Sequence, residues 1–457
     1  MNKKNNGWKH PIGKELLAGL VVCMALMPEV IGFSLAAGVD PMVGVYSSFC
    51  ISIITAICGG TPGMISAAAG AMALVLAGLV KTHGVQYMLA ATILTGVIQM
   101  FLGVFKVGRL MKYIPKPVMT GFVNALGIMM FTSQMEHFEG SPILIVLAIL
   151  GVAIIYLFPR INKKIPSPIV AIVVITGIVM VGHIDIKTLG DMGNITTQLP
   201  HFLIPSVPFN METLKIVLPY AISLSLVGLV ESLLTSQLLE DMTDTKMNKD
   251  KECIGQGLGN VVAGFFGGIA GCGMIGQSIT NHTYGGRGRL STLMSGTFML
   301  LFIILFNKIV VQIPVVALAA VMVVVSFKTF NWQSIKRMKK VPLTDTIVML
   351  ATVVVVLMTH NLAYGVVVGI ILSAIFFVAK ISDIKVEKVA GNESSYLVKG
   401  QLFFASTEKF VDSFNYGIDA KQVNIDLSGA KLWDESAVVA IDKMMTKFNK
   451  NDNFLFL

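Results

Sequence analysis

Long apolar stretches separated by short polar ones run along most of the chain. Residues 16–37, 87–105, 121–132, 143–158, 168–181, 290–306 and 346–358 carry few or no charges and recur at membrane-helix spacing. The whole pattern predicts about fourteen membrane segments, several shorter than the ~20 residues a straight span needs. Two stretches interrupt it with Gly, Ala, Ser and Pro: GGTPGMISAAAGAMA at 59–73 and GGIAGCGMIGQSITN at 267–281. After Pro62 and Gly63 the usable helix, about residues 68–80, covers ~20 Å of a ~30 Å hydrocarbon core. Its counterpart is equally short and more polar, with Gln277, Ser278, Thr280, Asn281 and His282 close behind Gly273.

These two breaks hint at duplication. Gly59, Gly60 and Gly63 recur 208 positions later as Gly267, Gly268 and Gly271, and the Ile-Pro pair at Ile114 recurs 199 positions later at Ile313. A polar break at 183–210 separates the halves. The expected organisation is an N-terminal segment 1–14, a first membrane repeat 15–185, a linker 186–211, a second repeat 212–381 and a tail 382–457. Seven helices per repeat is an odd number, so the second repeat must be inverted, as in secondary transporters. Short, glycine-broken segments at corresponding positions point to a midplane site, where two facing helix N-termini favour an anion. The alternative for SAAAGAMA is a small-residue face for helix packing.

Composition supports a membrane class: 54% of residues are hydrophobic, 13% charged, and mean hydropathy is +0.76. The net charge of +9 invites a nucleic-acid reading, but its distribution excludes one. With the N-terminus inside, one set of loops takes 21 of the 35 Lys and Arg residues, from Lys3, Lys4, Lys9 and Lys14 through Arg109, Lys112, Lys163 and Lys164 to Lys328 and Lys336–Lys340; the opposite loops take 4. That positive-inside asymmetry predicts a multi-pass cell-membrane protein with both termini cytoplasmic. The N-terminal apolar run continues past signal-peptide length, so it reads as a first membrane helix. Cys23, Cys50, Cys58, Cys253 and Cys272 lack metal-ligand spacing and read as small packing residues. His183 and His360 fall near helix ends, as interfacial residues do.

Two acidic residues sit well inside predicted helices, Glu29 and Glu231. A carboxylate at a span's centre costs ~2.5–3.5 kcal/mol on insertion scales, so function is its default reading. Either could carry a proton, and Thr235, one turn after Glu231, could share a sodium ion with it. A structural hydrogen bond to broken backbone is the alternative, above all for Glu29 beside Pro28.

The segments MALMPEVIGFSLAAGVDPMVGVYSS, GLVESLLTSQLLEDMTDTKMNKDKECIGQGLGNVVAGFFGG and VNIDLSGAKLWDESAVVAIDKMM resemble the SulP family of sulfate-permease-type anion transporters, over nearly the whole chain. The resemblance implies fourteen helices in inverted seven-helix repeats with core and gate domains, an anion site between half-helices three and ten, and a cytoplasmic STAS domain of α/β type. It implies substrate contacts from Phe33, from Ala68, Ala69 and Gly70 at the start of helix three, and from Met274, Ile275, Gly276 and Gln277 at the start of helix ten. Glu231 and Thr235 match the family's acidic-x3-Thr pair, and Glu at the first position leans towards proton coupling. Glu29 stands where many members have Gln, and Gln277 where many eukaryotic members have Arg. Both departures make the pocket less positive, which disfavours a divalent anion unless one carboxylate is protonated. The resemblance also suggests a homodimer.

In the tail, SYLVKGQLFFAS, TEKFVDSFNYGI, QVNIDLSG and ESAVVAIDKMMTKF predict a β-α-β-α order, with a last strand at NFLFL. The resemblance implies a partial STAS domain over 382–457 that matches the first part of the module, without the final strand and helix of fuller versions. Asp434 is followed by Glu435, with Ser436 one place later, so the phospho-switch of soluble STAS regulators is not expected and docking or dimerisation is. Competing readings are an uncoupled anion channel or exchanger of the same fold, a nucleobase transporter, which would want a second acidic ligand on helix ten, and a membrane-anchored STAS regulator. No hydrolytic or redox motif and no cofactor site is present in the sequence. The expected partners are a small anion and membrane lipids.

Overall fold

A computed structural model describes residues 7–8, 10–108, 113–138, 141–162, 165–193, 198–389, 395–417, 422–449 and 454–456. Lys3, Lys4, Lys9, Arg109, Lys112, Lys163 and Lys164, used above for the charge asymmetry, lie outside them. The chain divides into two compact units, Met1–Val368 and Gly369–Leu457.

Among the described residues, fourteen helices of nine residues or more run between Ile12 and Ile381. Seven precede the linker: α1 (Ile12–Ala36), α2 (Pro41–Cys58), α3 (Gly70–His83), α4 (Val85–Val104), α5 (Lys116–Thr132), α6 (Pro142–Leu157) and α7 (Ser167–Val181). Seven follow it: α8 (Met211–Thr243), α9 (Lys249–Phe265), α10 (Ile275–Thr283), α11 (Arg289–Leu305), α12 (Val315–Thr329), α13 (Leu343–Thr359) and α14 (Leu362–Ile381), the last of which crosses the unit boundary. Seven of the described helices are long and apolar enough to cross a membrane, and α3, α7, α11 and α13 are shorter apolar helices. The Ile-Pro echo marks equivalent places: Pro115 and Pro314 are the N-cap residues directly before α5 and α12, where proline's missing N–H costs nothing.

Small residues set the closest packing. Gly96 and Gly103 on α4 meet Gly257 and Ile254 on α9, where a Cβ added at Gly96 would sit 2.3 Å from the Gly257 carbonyl. The backbones therefore touch. The polar loops are held by buried carboxylates: Glu15 accepts from the amides of Arg287 (2.7 Å), Gly288 (2.9 Å) and Ser291 (3.0 Å), and Glu252 from those of Gly60 and Thr61 (both 2.8 Å). Both sit in first helical turns, which is why a search for mid-span acids passes over them.

Between α2 and α3 the chain forms a three-residue strand, β1 (Ser66–Ala68), and between α9 and α10 another, β2 (Gly271–Gly273). They pair antiparallel as Ser66 with Gly273, Ala67 with Cys272 and Ala68 with Gly271, a register symmetric about its centre. Each residue of β1 has its counterpart 205 positions on, as does the start of α3 at Gly70 in Ile275 of α10. The glycine frame of 208 is thus displaced. Left-handed Gly63 (φ +77°) matches left-handed Gly267 (φ +76°), and one more residue separates Gly267 from its strand than separates Gly63 from its own.

The C-terminal unit holds a four-stranded sheet: β3 (Lys385–Lys388), β4 (Ser395–Leu402), β5 (Gln422–Leu432) and β6 (Phe454–Phe456), in that order. β3 and β4 are antiparallel; β4–β5 and β5–β6 are parallel. Helices α15 (Thr407–Asp412) and α16 (Glu435–Asn449) complete it around Val398, Phe410, Val423, Met444 and Phe448. The β-α-β-α order holds with an additional strand in front: β3 is charged and mostly exposed, so it has no apolar alternation to read. The amphipathic stretch is helical only over Thr407–Asp412. Asp434 caps α16, accepting from the amides of Ala437 (3.0 Å) and Phe404 (2.9 Å).

Candidate functional site

A cavity of about 610 Å³ separates two groups of helices in the first unit. One wall is built from α1, α8 and the starts of α3 and α10; the other from α5, α12, the end of α6 and the turn into α7. Polar groups gather on the first wall, whereas Phe122, Leu126, Met130, Val321 and Val324 make the second largely apolar.

The first wall exists because β1 and β2 are pinned on every side. Asn260 of α9 brackets Gly271, donating to its carbonyl (3.1 Å) and accepting from its amide (2.8 Å). The Ser232 hydroxyl accepts from the amide of Gly273 (2.9 Å), that of Ser48 accepts from Ala68 (3.1 Å), and that of Ser278 from Ile65 (2.9 Å). The Met274 amide donates to the Ile65 carbonyl (2.8 Å), tying one half to the other directly before α10. No strand propensity is needed at SAA or GCG; side chains from neighbouring helices complete the backbone bonds.

From this ladder α3 and α10 start at the cavity. They have 14 and 9 residues, about 21 and 14 Å, well short of the ~30 Å core. Neither start has a side-chain cap, so first-turn amides and the positive dipole ends are left to the cavity. Ala69 and Gly70 on one side and Gly276 on the other are small, and they line the cavity together with Met274 and Ile275. A Cβ added at Gly276 would meet nothing within 4 Å.

The sequence-expected residues divide as follows. Phe33, Ala69, Gly70, Met274, Ile275, Gly276, Gln277, Glu29 and Glu231 all line the cavity. Ala68, expected at the start of a helix, lies in β1 with no exposure and is not part of the lining. Its strand is made by pairing with the other half, which local sequence does not reveal. Thr235 is fully buried behind the wall and donates to the carbonyls of Glu231 (2.8 Å) and Gly273 (3.1 Å).

Both carboxylates are engaged by the second half's broken segment. Gln277 donates through Nε2 to Glu29, and the Cys272 thiol donates to Glu231 Oε2 (3.0 Å). Cys272 is therefore more than a packing residue, and all five cysteines are free. Among the described residues no group of three or more His, Cys, Asp or Glu side chains is placed to hold a metal. Sequence reasoning left Lys328 among the loop cations; it lies on the last turn of α12 and lines the cavity, where it is the cation among the described lining residues. No local sequence signal separates it from the loop cations, because the packing of α12 against α5 and α6 is what brings it to the cavity.

The sulfate permease family matches residues 12–144 and 141–352. The chain is 54% identical over 446 residues, 97% of this chain and 93% of the relative, to a Bacillus subtilis (strain 168) protein named "Putative sulfate transporter YbaR". It is 28% identical to the bicarbonate transporter BicA of Picosynechococcus sp., over 82% of this chain and 72% of that protein. Among solved structures, the transmembrane domain of a cyanobacterial BicA superposes with a TM-score of 0.70 at 27% identity, covering 79% of this chain and 97% of that one. Murine Slc26a9 in the inward-facing state superposes with a TM-score of 0.84 at 18% identity, covering 98% and 86%, a likeness of fold.

Proposed function

The chain belongs to the sulfate permease family, and from that premise we propose that it is a secondary active transporter of small anions of the sulfate, bicarbonate or dicarboxylate class. The observation that carries the reading is the pair of uncapped half-helix starts, α3 and α10, opening on one cavity from a shared two-stranded ladder. An anion there is held by backbone amides and dipole ends, with Phe33 and Gln277 shaping the sides. Lys328 draws the anion into the cavity by long-range attraction.

Glu231 supplies the coupling. A mid-membrane carboxylate beside an anion site must be neutralised before the anion is bound tightly, so anion and cation load together. The proton fits this position best: Thr235 directs its hydroxyl onto two backbone carbonyls, and Glu231 takes its direct hydrogen bond from a thiol. The cavity's other end is formed by the α6–α7 turn and by Lys328 on the last turn of α12, at the face assigned to the cytoplasm by charge, so the conformation reads as open inward. Alternating access then moves the wall bearing the half-helices against the apolar wall of α5 and α12. The C-terminal unit reads as a cytoplasmic STAS-type module.

Reconstitution tests this. Uptake of labelled sulfate and bicarbonate into proteoliposomes under imposed proton or sodium gradients is expected to show accumulation driven by protons and abolished in Glu231→Gln. Accumulation that survives the substitution overturns the coupling role. Transport that follows neither gradient makes the protein a channel or exchanger of the same fold.

A further inference from the structure

The connection from α12 to α13 joins consecutive membrane helices, so it lies at one bilayer surface. It contains a six-residue helix, Trp332–Arg337, and it is built rather than loose. Asn331 Oδ1 accepts from the Ser334 amide (3.2 Å). Asn124 of α5 holds both residues, donating to Ser334 Oγ (2.9 Å) and accepting from the Asn331 amide (2.8 Å). Trp332 Nε1 donates to the Phe327 carbonyl (2.8 Å), and its ring stacks on Phe327 at an interplanar angle of 7°, with Phe131 edge-on to the same phenyl ring.

Its outer surface carries two chemistries side by side. Lys336, Arg337, Lys339 and Lys340 are exposed, and no acidic side chain among the described residues pairs with them. Asp345 is the one acidic residue between Lys328 and Thr346. Trp332, Ile335, Val341 and Leu343 are exposed beside the cations, Leu343 by 74%. Charge asymmetry alone accounts for basic residues at this membrane face, but not for apolar side chains interleaved with them on an anchored element.

We propose that this segment is a docking site for the headgroup of an anionic bilayer lipid, with the four cations around its phosphate and the apolar side chains at the acyl boundary. A soluble anion would meet the same charges and leave the apolar residues unused. The site is independent of the transport reading, yet it adjoins the transport cavity: Phe327, which carries the indole, precedes cavity-lining Lys328.

The chain has three tryptophans, so Trp8→Phe with Trp433→Phe leaves Trp332 as sole reporter in the full-length protein. The assay is quenching of its fluorescence in phosphatidylcholine vesicles holding a minor fraction of brominated phosphatidylglycerol. Quenching is expected to exceed the lipid's mole fraction by at least about fivefold, the equivalent of a single basic residue's attraction to an anionic surface. It should return to the mole fraction when all four cations are replaced by Gln and persist when the three lysines become Arg. Raising salt on the unsubstituted protein, whose folding is not in question, should collapse the enrichment. Quenching that merely tracks mole fraction, or that ignores both salt and the Gln substitutions, overturns the proposal. So does release by inorganic phosphate beyond that by chloride at equal ionic strength, which would make this a soluble-anion site.

Discussion

Gly70 is the first residue of α3 and Gly276 the second of α10, and the same substitution should move stability in opposite directions at the two. A Cβ at Gly70 would lie 2.7 Å from Phe33 Cε1, 3.2 Å from Cδ1 and 3.3 Å from Met130 Sδ. The first of these falls well inside ordinary contact, so the Phe33 ring must move, and over-packing of this kind costs ~1–3 kcal/mol. Because Phe33 lines the cavity, that strain falls on the anion site, where it corresponds to about a 5- to 150-fold loss of apparent affinity. At Gly276 a methyl group meets open space, and replacing glycine in a helix gains up to ~1 kcal/mol. Thermal unfolding in detergent should show Gly70→Ala melting below wild type and Gly276→Ala at or above it. Anion titrations in proteoliposomes should show the affinity loss for Gly70→Ala, partly recovered when Phe33→Leu makes room. A Gly70→Ala protein with unchanged melting and unchanged affinity would refute the packing argument.

Further outcomes follow from other parts of the structure. Lys328→Gln should weaken apparent anion affinity most at low ionic strength, a dependence that flux measurements across a salt series would detect. Asn260→Ala removes both bonds to Gly271 and leaves buried backbone groups unpaired, a loss of ~2–4 kcal/mol that should appear as a lower melting temperature. In the C-terminal unit, burial pushes the Tyr416 phenol from 10.0 up to about 12. The raised value favours the protonated folded form, so its stabilisation is complete below pH 10 and is lost as pH rises through 12. Tyr416→Phe should flatten that alkaline loss in denaturant titrations across the window.

Much of this architecture was legible because glycine and proline punctuate it. The short helices after Gly63 and Gly273 announce themselves through small residues where apolar runs would otherwise continue, and Glu29 and Glu231 stand out against their surroundings. Other features depend on chain segments that are remote in sequence. Ala68 reads as helix until Gly271 is placed opposite it, and Cys272 reads as filler until α8 brings Glu231 within 3.0 Å. Lys328 looks like one more loop cation because only the packing of α12 against α5 and α6 defines where the cavity lies. The extra residue after Gly267 shifts the glycine frame from the register of the strands, an offset that side-chain identity cannot show.

The symmetric ladder of β1 and β2 also bears on how such a protein changes over time. Its hydrogen bonds run between peptide groups, and the residues that stabilise it, Asn260, Ser232, Ser48 and Ser278, stand outside the cavity lining. The bed on which a ligand rests is thus separable from the side chains that face it. Phe33, Gln277 and Lys328 can be exchanged without dismantling the ladder, so selectivity can drift while the cradle stays constant.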